Sequence, residues 1–352
     1  MAADQREFVA RRERLSLRAF VATGQGVDDA SQSAVDDASQ SVVDVDLGNY
    51  VGVRVGDTLL VSATPLSTGE TRTSALAAAL AWHSRESGVA SINIVDAHTP
   101  GLTARRATHF AVPVTVFDTR TEGGGSAQSG SGAAATVAAP RLHEPRIDAS
   151  PEHVAVASMF LEVGADVVVE HGVVAAEVLG LEVARVIDED GVPTIRIGVG
   201  AHDREMFKLV NGATTTIEQL RGVVHTVTQH RRDGAPTHPL NLLAPERALR
   251  ARVIRDPGLV GAKKLNVAEP PVQRENVKDS VPCCAIGEDE QGPIVLVFVA
   301  GIDLDAVPFA ADARSSLAPD ARLLIVTASR NIVPAQLRMA RMLKKPAEFV
   351  SA

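Results

Sequence analysis

Short apolar runs rich in Val, Ile and Leu recur along this chain, with segments of helix length between them. The first set is 57–63 (DTLLVSA), 91–95 (SINIV) and 113–117 (PVTVF), with helix-like stretches at 74–84 and 100–110. Runs this short and this β-branched fit strands buried on both faces better than helices. Strands that alternate with such helices are joined by crossovers, which makes neighbouring strands parallel. The rhythm returns at 294–300 (IVLVFVA), 322–327 (RLLIVT) and 347–350, with helices at 307–317 and 334–343. The expected fold class is α/β: an N-terminal parallel βαβαβ module, a central mixed-sheet α/β region and a C-terminal βαβαβ unit.

The chain of 352 residues has room for two or three domains. Residues 1–49 read as an N-terminal helix followed by a disordered acidic repeat, because VDDASQSA (27–34) is followed at once by VDDASQSV (35–42). Residues 50–120 form the first α/β module, with Thr71 or Thr73 as cap of its first helix. Residues 121–148 form a flexible linker, rich in Gly, Ser and Ala up to residue 139. The central domain spans 149–267. The C-terminal unit spans 268–352 and is entered through the proline-containing stretch 268–282. A net charge of −8 excludes polyanion binding by bulk charge. The two cysteines, Cys283 and Cys284, are adjacent and cannot staple distant parts of a fold, so they read as buried thiols. No apolar run reaches membrane-spanning length, and the charged N-terminus has no signal-like core, so a cytoplasmic protein is expected.

The central segment 149–210 carries the densest group of acids and arginines beside strand ends. Ser150 caps a helix with Pro151 at its first position, followed by Glu152 and His153. Residues 165–170 read as a strand, 173–187 as a long extended segment kinked at Gly180, and 194–200 as the returning strand. Alternation puts Leu181, Val183 and Ile187 on one face. The other face carries Gly180, Glu182, Ala184, Arg196, Gly198 and Gly200, thin enough for a helix backbone or a ligand to approach. Arg185 falls on the apolar side and must either snorkel or pair, with Glu170 or Glu177 as the expected partner. Thr215 and Glu218 are expected to box the start of the next long helix.

A helix bearing an acid, then strands bearing acids, then helices, is also the order of a restriction-endonuclease-like core, and residues 149–210 resemble that PD-(D/E)XK superfamily. The 176–179 stretch (AEVL) falls where its first motif would lie, with Leu179 at the Asp position. Residues 196–198 (RIG) fall where Glu-x-Lys would lie, with neither acid nor Lys. The resemblance implies a degenerate nuclease-like domain with Glu152, Glu177 and Glu182 as its acids. It implies Mg²⁺ held by Glu177 and Glu182 if catalysis survives, and no cofactor otherwise.

Residues 221–264 hold nine arginines and lysines against three acids. That excess, with Arg185, nominates Arg231, Arg232, Arg247, Arg250, Arg252 and Arg255 for contact with DNA or RNA phosphates. Helix 246–255 is expected to bury Leu249 and Val253 and to expose its arginines. The competing reading of the same charges is a solvated helix paired with acids. Two further functions stay open: small-molecule or nucleotide binding at strand ends near Asp303 and Asp305, where helix capping is the alternative role, and a non-catalytic assembly module.

Overall fold

The computed structural model describes residues 3–23, 42–67, 73–96, 98–120, 135–211, 216–232, 234–273 and 281–352. Nearly all of the duplicated segment 27–42 and most of the Gly/Ser/Ala stretch 121–139 lie outside the described residues. The chain divides into two compact units. The first comprises residues 1–142, 303–312 and 333–347, and the second comprises 143–302, 313–332 and 348–352. The chain therefore leaves the first unit three times and returns to it twice.

The first unit opens with helix α1 (Ala3–Ala22). Its six-stranded sheet runs in sequence order: β1 (Val42–Asp46), β2 (Val51–Val55), β3 (Thr58–Ser62), β4 (Ser91–Asp96), β5 (Val114–Asp118) and β6 (Thr136–Val137). The three strands read from the sequence are β3, β4 and β5, and they pair in parallel. The sheet is mixed rather than all-parallel, because β1, β2 and β6 add antiparallel pairings. β2 (VGVRV) ends just before Gly56, whose positive φ turns the chain back into β3. Leu17 and Val21 of α1 pack on Val53, Val55 and Leu60. The crossover helices are α2 (Ala75–His83) and α3 (Pro100–Ala107). Ser74, rather than Thr71 or Thr73, caps α2: its side chain accepts the Ala77 N–H at 3.2 Å.

In the second unit the single helix expected after Ser150 is broken at Ala157 into α4 (Pro151–Val156) and α5 (Ser158–Glu162). Four strands follow: β7 (Asp166–Glu170), β8 (Val173–Val178), β9 (Leu181–Glu189) and β10 (Val192–Ile197). They form an antiparallel meander, not the mixed sheet expected. Each connection is a two-residue turn with positive φ at both positions: His171–Gly172, Leu179–Gly180 and Asp190–Gly191. The second of these turns splits the stretch read as one kinked strand. Leu179 sits at φ 52° and Gly180 at φ 78°.

Helix α6 (Gly200–Asn211) and helix α7 (Ile217–Arg231) come next, the latter boxed by Thr216 and Gln219 rather than by Thr215 and Glu218. Helix α8 (Pro245–Arg255) precedes a five-stranded sheet. Its strands are β11 (Ala262–Ala268), β12 (Cys283–Asp289), β13 (Gly292–Phe298), β14 (Arg322–Thr327) and β15 (Glu348–Ser351), with helices α9 (Ala306–Leu317) and α10 (Pro334–Arg341) as crossovers. β11 pairs with β12, so the strand at 262–268 belongs to the C-terminal sheet and not to the region before it. Val253 of α8 lies in the core beneath this sheet, with Leu265, Cys283, Ile294 and Phe298. Cys283 and Cys284 are buried thiols in no disulfide, as expected, and burial pushes the Cys283 thiol up to about 12.

The two mixed sheets share one topology. In each, a helix precedes a strand, two antiparallel pairings follow, and then two parallel pairings made through two crossover helices. Equivalent positions meet inside the first unit. Ser74, just before α2, donates its backbone N–H and its hydroxyl to Asp305, just before α9. Phe110, after α3, pairs with Leu343, after α10. Reciprocal backbone bonds flank that pair, from Ala111 N–H to Met342 O (2.8 Å) and from Lys344 N–H to His109 O (2.9 Å). Among the described residues, no helix is long and apolar enough to cross a membrane.

Candidate functional site

The acids and arginines singled out from the sequence are gathered in the second unit, but not as an open site. Alternation along the β7–β8 hairpin puts Asp166, Glu170 and Glu177 on one face. Helix α8 lies across that face. Arg247 and Arg250, one turn apart, point at it rather than at solvent. Arg250 donates to Glu170 at 2.6 Å and reaches Glu177 at 3.3 Å. Arg247 bridges the same two carboxylates. Arg250 is 1% exposed and Glu177 3%, so this is a buried network of two acids and two guanidiniums.

Gly180 makes this approach possible. A Cβ there would overlap the backbone carbonyl of Arg247, so the hairpin turn and the helix are in main-chain contact. The expectation that glycines on this face admit a helix backbone is met here, and again at Gly198. A Cβ at Gly198 would come within 2.5 Å of the Arg204 nitrogen in α6.

The electrostatics follow from the burial. Desolvation alone would raise the Glu170 carboxyl, but Arg250 and Arg247 outweigh it and hold it below the usual carboxylate range. Desolvation alone would likewise lower both arginines, and Glu177 and Glu170 keep them firmly charged. Asp166, across the ladder from Glu177, is raised by burial, with Arg255 opposing and Glu177 adding to the rise. Every charge in the network is met by an opposite one.

Glu182 stands opposite Glu177 in the β8–β9 register, beside an irregularity in the ladder, yet its carboxylate serves a second cluster. Arg185 donates to it in bidentate fashion (2.7 and 2.9 Å), and Arg204 of α6 donates at 3.0 Å. Arg185 therefore pairs with Glu182 and not with Glu170 or Glu177. Burial first, and Arg185 second, lower the Arg204 guanidinium. Arg196, at the Glu-x-Lys position, pairs with Glu189, which also holds Lys208 at 3.0 Å. Glu152 is exposed in the first turn of α4. The structure thus places Glu177 and Glu182 in separate arginine clusters and leaves Glu152 in solvent. Among the described residues, no three His, Cys, Asp or Glu side chains gather closely enough to hold a metal ion.

The arginines nominated for nucleic acid also divide. Arg247 and Arg250 are internal ion-pair partners, which corrects the expectation that α8 exposes them. Arg231 is a structural clamp: it donates to the carbonyls of Leu240, of Leu243 at 3.0 Å and of Leu179 at 3.1 Å, pinning the turn beside Gly180. Arg232, Arg252 and Arg255 are exposed. Lys263 pairs with Glu290 at 3.2 Å. Asp305, in the first unit, is raised by burial and engaged by Ser74, so it ties two segments together instead of facing a ligand.

Sequence reading missed two features. Arg204 was hidden in a stretch whose acids explain themselves as helix-start residues. A groove of about 400 Å³ between α6, α7 and the 239–242 turn is walled by Val199, Phe207, Val223, Val227 and Leu240. Its signal lay in the spacing of Phe207, Val223 and Val227, but apolar positions at helical spacing read first as core. No protein-family model, no curated protein and no solved structure matches the chain.

Proposed function

We propose that this protein is a non-catalytic binding protein whose ligand site is the groove between α6 and α7. One contrast carries the reading. The acid and arginine groups that could have done chemistry are closed on one another, whereas the groove is concave, apolar and open. A volume of about 400 Å³ is within the range of small-molecule sites. Helix α6 extends the apolar surface with Met206, Leu209 and Val210, which are 45%, 77% and 76% exposed. A neutral apolar probe, 1-octanol, should bind saturably and raise the melting temperature. A flat titration by calorimetry and by thermal melt would sink the reading.

A second reading keeps the restriction-endonuclease-like resemblance as that of a degenerate domain that grips a nucleic-acid backbone without cutting it. It is supported by the exposure of Arg232, Arg252 and Arg255. Three phosphate contacts predict a slope of log K on log salt of about −2.7, or roughly 40-fold weaker binding at 200 mM than at 50 mM salt. Anisotropy with a labelled duplex tests this. Binding that is absent at 50 mM, or unmoved by Arg252→Glu with Arg255→Glu, removes it.

A further inference from the structure

Helix α7 contains a glycine where a helix gains nothing from one. Gly222 lies within the 217–231 span and lines the groove, and a Cβ placed on it would meet no atom within 4 Å. Glycine inside a helix costs about 1 kcal/mol relative to alanine. No neighbouring backbone or side chain demands it. The bare main chain instead widens the groove on that wall.

The lining also has a polarity. Its polar groups are Asp203, Gln219 and Thr226. Gln219 is occupied in the capping box of α7, and the Thr226 hydroxyl donates to Gly222 O at 2.9 Å. Asp203 is the one charged residue among those lining the groove. Its Oδ2 accepts the Val199 N–H at 2.7 Å, which fixes the carboxylate in the lining. Asp203, Phe207 and Val210 recur at helical spacing on α6, so the acid continues the apolar stripe.

We propose that the groove takes an amphiphile with an apolar body and a cationic head. The body lies over Gly222 between Phe207, Val223 and Leu240, and the ammonium group meets the Asp203 carboxylate. This rests on the reading of the groove as a ligand site and adds the charge of the ligand. An anionic head would be repelled by Asp203, and a neutral one would gain only burial. An exposed ion pair of this kind contributes modestly, so the preference for the amine should be several-fold rather than thousand-fold.

Isothermal titration of the full chain with octylammonium, 1-octanol and octanoate tests the two levels separately. Saturable binding of 1-octanol, lost in Gly222→Leu, supports the groove. Octylammonium binding about two- to fivefold tighter than 1-octanol, with octanoate weakest, supports the cationic head. Asp203→Asn keeps an acceptor for the Val199 N–H and should bring octylammonium and 1-octanol to equal affinity. Gly222→Ala should raise the melting temperature, which shows that Gly222 is not needed for folding. Octanol binding with no amine preference, or a preference that survives Asp203→Asn, overturns the cationic ligand and leaves the groove standing. Absence of binding by all three probes, or binding unchanged in a folded Gly222→Leu protein, overturns both.

Discussion

Arg250 is the residue on which the second unit turns. Its guanidinium is 1% exposed and touches both Glu170 and Glu177. Removing one member of a buried ionic network leaves its partners charged in a medium that cannot solvate them. Arg250→Ala should therefore destabilise the second unit by about 3–5 kcal/mol, read from urea denaturation. Because the planar Arg250 fork serves two carboxylates and also reaches the Cys284 carbonyl at 3.5 Å, Arg250→Lys should recover only part of the loss. The pH dependence has a definite sign. Glu170 is held below its ordinary value, so its stabilisation is present above the unfolded carboxylate pKa of about 4.3 and is lost as pH falls through the folded value. Stability measured from pH 7 to pH 3 should drop at the acid end, and Glu170→Gln should flatten that limb while lowering stability at neutrality. If the limb keeps its slope in the variant, other carboxylates govern it. Little of this network was legible in the sequence. The charge excess of 221–264 was visible, but which arginine faces inward depends on acids 70–80 positions away, and no local rule reports such pairs.

At the scale of elements, the contact between a hairpin and a helix decides the geometry of the second unit. Gly180 at φ 78° closes the β8–β9 turn and lets α8 lie against it. Gly180→Ala would be doubly penalised, by a left-handed backbone and by overlap with the Arg247 carbonyl. The expected cost is about 2–4 kcal/mol, with the Arg247 and Arg250 pairs displaced, and a thermal melt beside near-ultraviolet dichroism would check it. An alanine variant as stable as the parent would mean that the helix can move aside. The strands themselves were largely readable, because alternation and β-branched runs are local. The turn at Leu179–Gly180 was not, since leucine rarely occupies the left-handed region and nothing in its side chain announces a reversal. The break at Ala157 and the strand at 262–268 were missed for a related reason: both are settled by what packs against them.

For the whole molecule, the repetition of strand and helix in the two outer thirds was a correct reading of a shared topology, while the partition of the chain was not local. The first unit includes 303–312 and 333–347. Asp312 is fully buried there and is held below its ordinary value by His109 and Arg105 against the opposing effect of burial. Arg105 grips it through two bonds of 2.8 and 2.9 Å. A fragment ending at Leu142 lacks Asp305, Asp312 and Leu343, and so loses the carboxylates that Ser74 and Arg105 bind and the bridge partner of Phe110. It should unfold with low cooperativity, and adding a 303–352 peptide should restore a sigmoidal melt. A fragment that melts as sharply as the intact chain would show that residues 1–142 suffice.

The returning segments also set an order of events at the ribosome. Residues 143–260 contain the meander and its helices without interruption and can close as they emerge. Residues 1–142 of the first unit must wait, with Phe110 and the Arg105 guanidinium uncovered, until Asp312 and Leu343 have been made. During synthesis the strands of the first unit are thus completed only by segments made about two hundred residues later.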